Sequence, residues 1–276
     1  VFTSGIINPE GPIASAEAKI LFNATAIMLA VIIPVIIGTI AFAWWFRESN
    51  KNARYRPDWT YSGHIELVVW SVPTLVVLFL AGITWLGTHQ LDPFKPIASD
   101  QKVLNVQAIS LDWKWLFVYP DDGVATVNHL VIPVGRPVHF SITSASVMNS
   151  LLIPQLGSQI YGMAGMVTQL NLQTDHAGTF RGLSAQFSGE GFSDMVFDLQ
   201  SLAPDQYKTW LDQSRARNDM LDEAAYSDLM KDRTPRLVQT FGKIEQGLFD
   251  KVVKQSGGTA HFPDQATATP TAMETR

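Results

Sequence analysis

Gly182-Leu183-Ser184-Ala185-Gln186-Phe187-Ser188-Gly189-Glu190-Gly191-Phe192-Ser193-Asp194-Met195 is laid out like a metal-binding loop between two strands. Ser184 and Ser188 stand four apart, glycines fold the chain back, and Met195 closes the segment. It holds no imidazole or thiolate, and without them its hydroxyls, its one amide and its thioether are weak ligands. The loop is either an ordinary turn or the frame of a site that has lost its metal.

On either side the pattern has a period of two. Val103, Asn105, Gln107 and Ile109 begin it, and Trp113, Trp115, Phe117 and Tyr119 fall on alternate positions of the next run. Pro120-Asp121-Asp122-Gly123 is a turn. Residues 129–133, 137–143, 168–172, 180–187 and 195–199 continue the series. Short strands divided by Gly and Pro turns predict an antiparallel sandwich or small barrel. Beyond residue 202 the period becomes helical: a helix starts at Pro204, with Tyr207, Trp210 and Leu211 on one face. Residues 222–231 and 241–253 read as two more amphipathic helices. The Ala/Thr/Pro-rich end after residue 255 is expected to be disordered.

Toward the N-terminus the chemistry changes. Residues 20–46 hold no charged side chain and end in Trp44-Trp45-Phe46 followed by Arg47; residues 67–91 hold no Asp, Glu, Lys or Arg. About 20 residues at ~1.5 Å rise cross a ~30 Å hydrocarbon core, so each run is long enough to span. Pro34, Gly38, Pro73 and Gly82 are tolerated in such helices. The connecting segment carries Arg47, Lys51, Arg54 and Arg56, which places it in the cytoplasm and both termini outside. Everything after about residue 92 then forms an outer domain, periplasmic in a bacterium. Glu66 stands at the cytoplasmic start of the second helix. It is either a helix-start acid favoured by the macrodipole or a proton-accepting carboxylate at a membrane edge.

The 276 residues are 46% hydrophobic and only 16% charged, with a net charge of −5, so no basic footprint marks a nucleic-acid partner. With no cysteine there can be no disulfide, thiolate metal site or cysteine nucleophile. The histidines, at 64, 89, 129, 139, 176 and 261, are scattered without a pair at ligand spacing, and Met148, Met163, Met166 and Met195 read as core. No nucleophile elbow or phosphate-cradling loop is present, so no catalytic residue and no bound metal is expected.

Several separated motifs carry a resemblance: Val68-Val69-Trp70, Asp112-Trp113-Lys114-Trp115, Gly123-Val124-Ala125-Thr126-Val127-Asn128, Ser146-Val147-Met148-Asn149-Ser150, Leu156-Gly157-Ser158-Gln159-Ile160-Tyr161 and Met163-Ala164-Gly165-Met166. With the two helices before them, they are similar to subunit 2 of the heme-copper oxidases, in the quinol-oxidising cytochrome bo-type branch. The resemblance implies an α+β membrane protein, a transmembrane hairpin followed by a cupredoxin-like β-sandwich and C-terminal amphipathic helices. It divides the chain into an arm (1–19), helix (20–46), loop (47–65), helix (66–91), sandwich (92–202), helical extension (203–254) and tail (255–276).

The cytochrome c oxidase branch of that family holds a binuclear copper centre. Carried across by motif, its ligand positions fall here on Asn149, Ser184, Gln186, Ser188, Phe192 and Met195. The two bridging thiolates are replaced by hydroxyls and one histidine by a phenyl ring, so no copper pair is expected. Trp113 and Trp115 match an aromatic cluster near the point where electrons arrive in related subunits; here they are expected to serve as core and subunit contact. The resemblance places Glu66 at the mouth of a proton pathway into subunit 1. It implies hemes and copper in subunit 1 and none in this chain, ubiquinol as the substrate of the complex, and subunit 1, further small membrane subunits and the phospholipid membrane as partners. Many relatives begin with a lipid-modified cysteine just before a segment like Gly5-Ile6-Ile7-Asn8-Pro9; a cysteine preceding Val1 and an unlipidated chain both fit. The same composition also leaves room for a membrane-anchored cupredoxin carrier or a tethered assembly scaffold.

Overall fold

Two long apolar helices open the chain in the computed structural model, which describes residues 5–54, 56–234 and 236–256. The expected disordered tail lies, from residue 257 on, outside the described residues, whereas Gln255 is the last residue of a helix. Helix α1 (Pro12–Trp45) starts eight residues before its apolar run, because Pro12 supplies a preset φ at the first helical position. Its 34 residues extend ~51 Å at ~1.5 Å each, more than a bilayer core needs, so its first turns stand clear of the membrane. Helix α2 (Gly63–Gln90) returns beside it. Gly87 lets them approach: a Cβ there would lie 2.7 Å from Ile20 Cδ1. Pro73 lies inside α2, and in the next residue the Thr74 hydroxyl donates to the Trp70 carbonyl at 2.7 Å.

The outer domain is a sandwich. Its strands are β1 (Leu104–Leu111), β2 (Lys114–Tyr119), β3 (Val124–Val127), β4 (His129–Pro133), β5 (Val138–Ser144), β6 (Asn149–Leu152), β7 (Gln159–Gly162), β8 (Thr168–Leu172), β9 (Gly178–Ser184) and β10 (Val196–Leu202). After β10 come α3 (Pro204–Arg215), β11 (Met220–Leu221), α4 (Glu223–Lys231), β12 (Gln239–Phe241), β13 (Lys243–Ile244) and α5 (Leu248–Gln255). One sheet runs β12-β3-β2-β1-β5-β8, the other β4-β10-β9-β6-β7, and β11 pairs with β13. The sandwich is mixed rather than purely antiparallel, because β1 runs parallel to β5 and β4 parallel to β10.

Trp115, Phe117, Phe140, Leu130, Phe197 and Leu199 fill the space between the sheets. The outer face of the larger sheet is also covered: Leu116, Val118, Ala125 and Val127 pack against Tyr226, Leu229, Phe249 and Val252 of α4 and α5. Strand β2 is therefore buried at every position, and alternation along it separates two cores rather than core from solvent. The sequence reading placed a helix over 241–253. Phe241 instead closes β12 on β3, and the helix begins only at Leu248, after Gly247 turns the chain in the left-handed region.

Among the described residues, hydrogen bonds join the hairpin to the sandwich at the head of α1 and behind α2. At the head of α1, the amides of Glu10 and Ala14 donate to the carbonyls of Gln155 and Leu156, at 2.8 and 3.1 Å. Glu17 Oε1 accepts from both the amide and the hydroxyl of Ser158, each at 2.9 Å. Gly157, at φ +83°, lies so close that a Cβ would reach within 2.9 Å of the Ala14 backbone. Behind α2, the Pro93 carbonyl accepts from the amide and side chain of Asn171, at 3.1 and 3.0 Å.

Candidate functional site

Antiparallel strands β9 and β10 bring the ends of the Gly182–Met195 stretch together, pairing Leu183 with Val196, and β6 lies on the other side of β9, pairing Leu151 with Ser184. The Ser184 amide donates to the Met195 carbonyl at 3.1 Å, so the stretch closes on itself. Inside the closure the polar groups partner one another. Ser184 Oγ donates to Asn149 Oδ1 at 2.5 Å, and Asn149, Ser184 and Met195 are all buried. Ser188 Oγ lies 3.9 Å from Met195 Sδ. Gln186 brings its backbone carbonyl to Ser184 Oγ, at 3.4 Å. Phe192 opens a short 3-10 turn and meets Phe187 edge to face, with centroids 5.6 Å apart. Four of the six positions thus meet in two side-chain pairs, Ser184 with Asn149 and Ser188 with Met195, and the side chains of Gln186 and Phe192 join neither.

Those atoms are two hydroxyls, an amide oxygen and a thioether. None carries charge, none bridges as a thiolate does, and Asn149 and Ser184 are engaged with each other. Among the described residues no group of three or more His, Asp and Glu side chains is gathered as a metal site.

Trp113 and Trp115 were expected on one strand face, but the structure separates them. Asp112 and Trp113 form the tight turn between β1 and β2, with Trp113 at φ 60°. Its indole N–H donates to the Ser188 carbonyl at 3.1 Å. Its ring covers Gly191, where a Cβ would fall 2.3 Å away. Trp115 is fully buried, stacks with Phe117 and meets Phe197 edge to face.

A segment of the C-terminal extension crosses this end of the sandwich, and sequence reasoning missed it. The Arg233 guanidinium lies 5.5 Å over the Trp113 ring, and Arg236 pairs with Asp194 at 3.0 Å. Lys114 is buried on the α4 side; its ammonium donates to the carbonyls of Leu229, at 3.2 Å, and Asp232. Burial pulls its pKa down from the ordinary lysine range, while the carboxylates of Asp232 and Asp112 oppose that shift. The alternation of β2 marks Lys114 as the one charged residue on a core face, which is the sequence signal for this latch.

Glu66 lies in the first turn of α2, at the other end of the hairpin. Its Oε2 accepts from the Trp70 indole N–H at 3.1 Å, and the carboxylate is exposed on the helix surface. His64, two residues earlier, is exposed and makes no ligand pair with it.

Residues 76–202 match the family described as cytochrome c oxidase subunit II, periplasmic domain. The chain is 44% identical over 250 residues to ubiquinol oxidase subunit 2 of Acetobacter aceti, covering 90% of this chain and 81% of that one. It is 45% identical over 248 residues to cytochrome bo(3) ubiquinol oxidase subunit 2 of Pseudomonas aeruginosa, covering 90% and 75%. A quinol oxidase subunit 2 of Bacillus subtilis is 34% identical over 229 residues, covering 82% and 71%. A two-helix anchor bearing a subunit II periplasmic domain defines the class as the second subunit of a respiratory terminal oxidase. Within that class the chain belongs to the ubiquinol oxidase subunit 2 family.

Proposed function

We propose that this chain serves a proton-pumping terminal oxidase of the bacterial inner membrane, which oxidises ubiquinol and reduces oxygen to water, without holding a redox centre itself. It packs on subunit 1, caps it on the periplasmic side and supplies Glu66 as a carboxylate at the mouth of a proton pathway. Hemes, copper and the quinol site belong to subunit 1, and further small membrane subunits complete the assembly. Both termini lie in the periplasm, since the short loop between the helices carries four of the chain's basic residues.

The observation that carries the first part is the mutual satisfaction of Ser184 and Asn149 at the heart of the loop. A copper pair needs charged, bridging sulfur donors, and this loop supplies neutral oxygens that already partner each other. Electrons from a lipid-soluble quinol need no copper relay on the outer face. The proton role rests on position and residue type: Glu66 is the acidic residue of the first turn of α2, at the cytoplasmic end of the hairpin.

Glu66→Gln tests that role, because glutamine keeps an oxygen for Trp70 and removes the titratable group. Quinol oxidation and proton uptake should both slow in an assembled complex of normal heme content, and Glu66→Asp should recover part of the loss. Wild-type turnover and proton uptake in Glu66→Gln would remove Glu66 from the pathway.

A further inference from the structure

The segment joining α1 to α2 borders an open cavity of about 890 Å³ that neither the oxidase role nor the proton pathway uses. Its wall includes Trp45, Glu48, Asn50, Arg54, Arg56 and Trp59, with Arg47 at the helix end. The wall is built by successive turns. The amide of Asn50 donates to the Arg47 carbonyl at 3.0 Å, that of Ala53 to Asn50 at 3.3 Å and that of Trp59 to Arg56 at 3.3 Å. Asn50 Nδ2 ties the turn back to the Trp45 carbonyl at 2.6 Å.

We propose that this cavity binds the phosphodiester headgroup of an anionic phospholipid in the leaflet from which the loop emerges. Depth is the first argument. The cavity starts where the apolar run of α1 ends in Trp44, Trp45 and Phe46, the aromatic belt that marks the headgroup level. Charge is the second. Four basic residues face two acidic ones in this segment, within a chain of net charge −5. Among the described residues neither Arg54 nor Arg56 forms an ion pair, and the Arg47 guanidinium stacks 5.0 Å over Trp44. Arginine forks match phosphate oxygens two at a time, which suits a phosphodiester better than a chloride. Shape is the third. The cavity sets Trp45 and Trp59 beside the arginines, so acyl and glycerol carbons meet indole while the phosphate meets guanidinium.

The test is lipid binding to the intact purified complex, followed by native mass spectrometry during titration with short-chain phosphatidylglycerol or phosphatidylcholine. Wild type should take up phosphatidylglycerol in preference, and equimolar inorganic phosphate should not displace it. The double variant Arg54→Gln, Arg56→Gln should bind phosphatidylglycerol roughly 10- to 30-fold more weakly, at ~fivefold per basic group near an anionic lipid. Heme content and quinol oxidation report that the variant has assembled. Equal binding by variant and wild type overturns the proposal. Displacement by inorganic phosphate also overturns it, since the cavity would then be a free-anion site. If the double variant does not assemble, wild type alone decides: equal uptake of the two lipids overturns the proposal, and preference for the anionic lipid upholds it.

Discussion

Ser184 Oγ donates a hydrogen bond to Asn149 Oδ1 at 2.5 Å, joining β9 to β6 across the closed end of the sandwich. Both side chains are buried, so each is the other's substitute for water. Asn149→Ala leaves the Ser184 hydroxyl with only the 3.4 Å contact to Gln186. The expected loss of stability is about 1–3 kcal/mol, the desolvation cost of a buried hydroxyl. On the proposed function electrons bypass this end, so quinol oxidation per heme should be unchanged. Denaturant unfolding followed by tryptophan fluorescence, with turnover on the same preparation, checks both halves.

The junction between hairpin and sandwich makes a second prediction. Glu17 accepts two hydrogen bonds from Ser158, and hydrogen bonds to charged groups contribute ~1.5–3 kcal/mol each. Glu17→Ala should open the contact between residues 10–17 and 155–158 without unfolding the sandwich core. Amide exchange at Ala14 and Ser158 should rise ~10-fold or more while that of β2 and β10 stays slow. Uniform exchange change across the domain would show that the junction is not a separate unit.

Alkaline pH gives a third. Burial, then Tyr119 and Asp122 beside it, pushes the Tyr207 phenol well above its usual range. In the folded state it keeps its proton where the unfolded chain releases it, near pH 10. The associated stability is complete below that pH and is lost as pH rises beyond it, at ~1.4 kcal/mol per pH unit per group. Tyr207→Phe also removes the 3.1 Å hydrogen bond to Asp122, so the variant should be ~1 kcal/mol less stable at pH 8. It should then lose stability less steeply than wild type from pH 10 to 11. Some slope remains from Tyr119, which burial shifts the same way. Parallel curves for the two proteins would contradict the assignment.

Apolar length and period carried much of this architecture. The charge-free runs before Phe46 and Leu91 fix the two helices, and alternation from Val103 to Leu199 fixes the strands. Three features escaped for physical reasons. The parallel pairing of β1 with β5 depends on a crossover that no local pattern encodes. Trp113 shares the spacing of a strand residue, yet a two-residue turn places it at positive φ against the loop. Phe241 to Val253 has helical spacing at its end, but Gly247 and pairing of Phe241 with Ala125 divide it into strand, turn and helix. At the candidate site, residue types told what donors were available. That Asn149 meets Ser184, and that Arg233 covers Trp113, depends on contacts 35 and more than a hundred residues apart in sequence, which only the fold supplies.

Copper content bears most directly on the claim that this loop carries no electrons. The complex would be purified with wild-type chain and with Asn149→Ala, Ser184→Ala, Ser188→Ala and Met195→Leu combined, and copper per heme measured for each by mass spectrometry. The account predicts the same copper-to-heme ratio in both. A lower ratio in the variant, at equal heme content per complex, would contradict it.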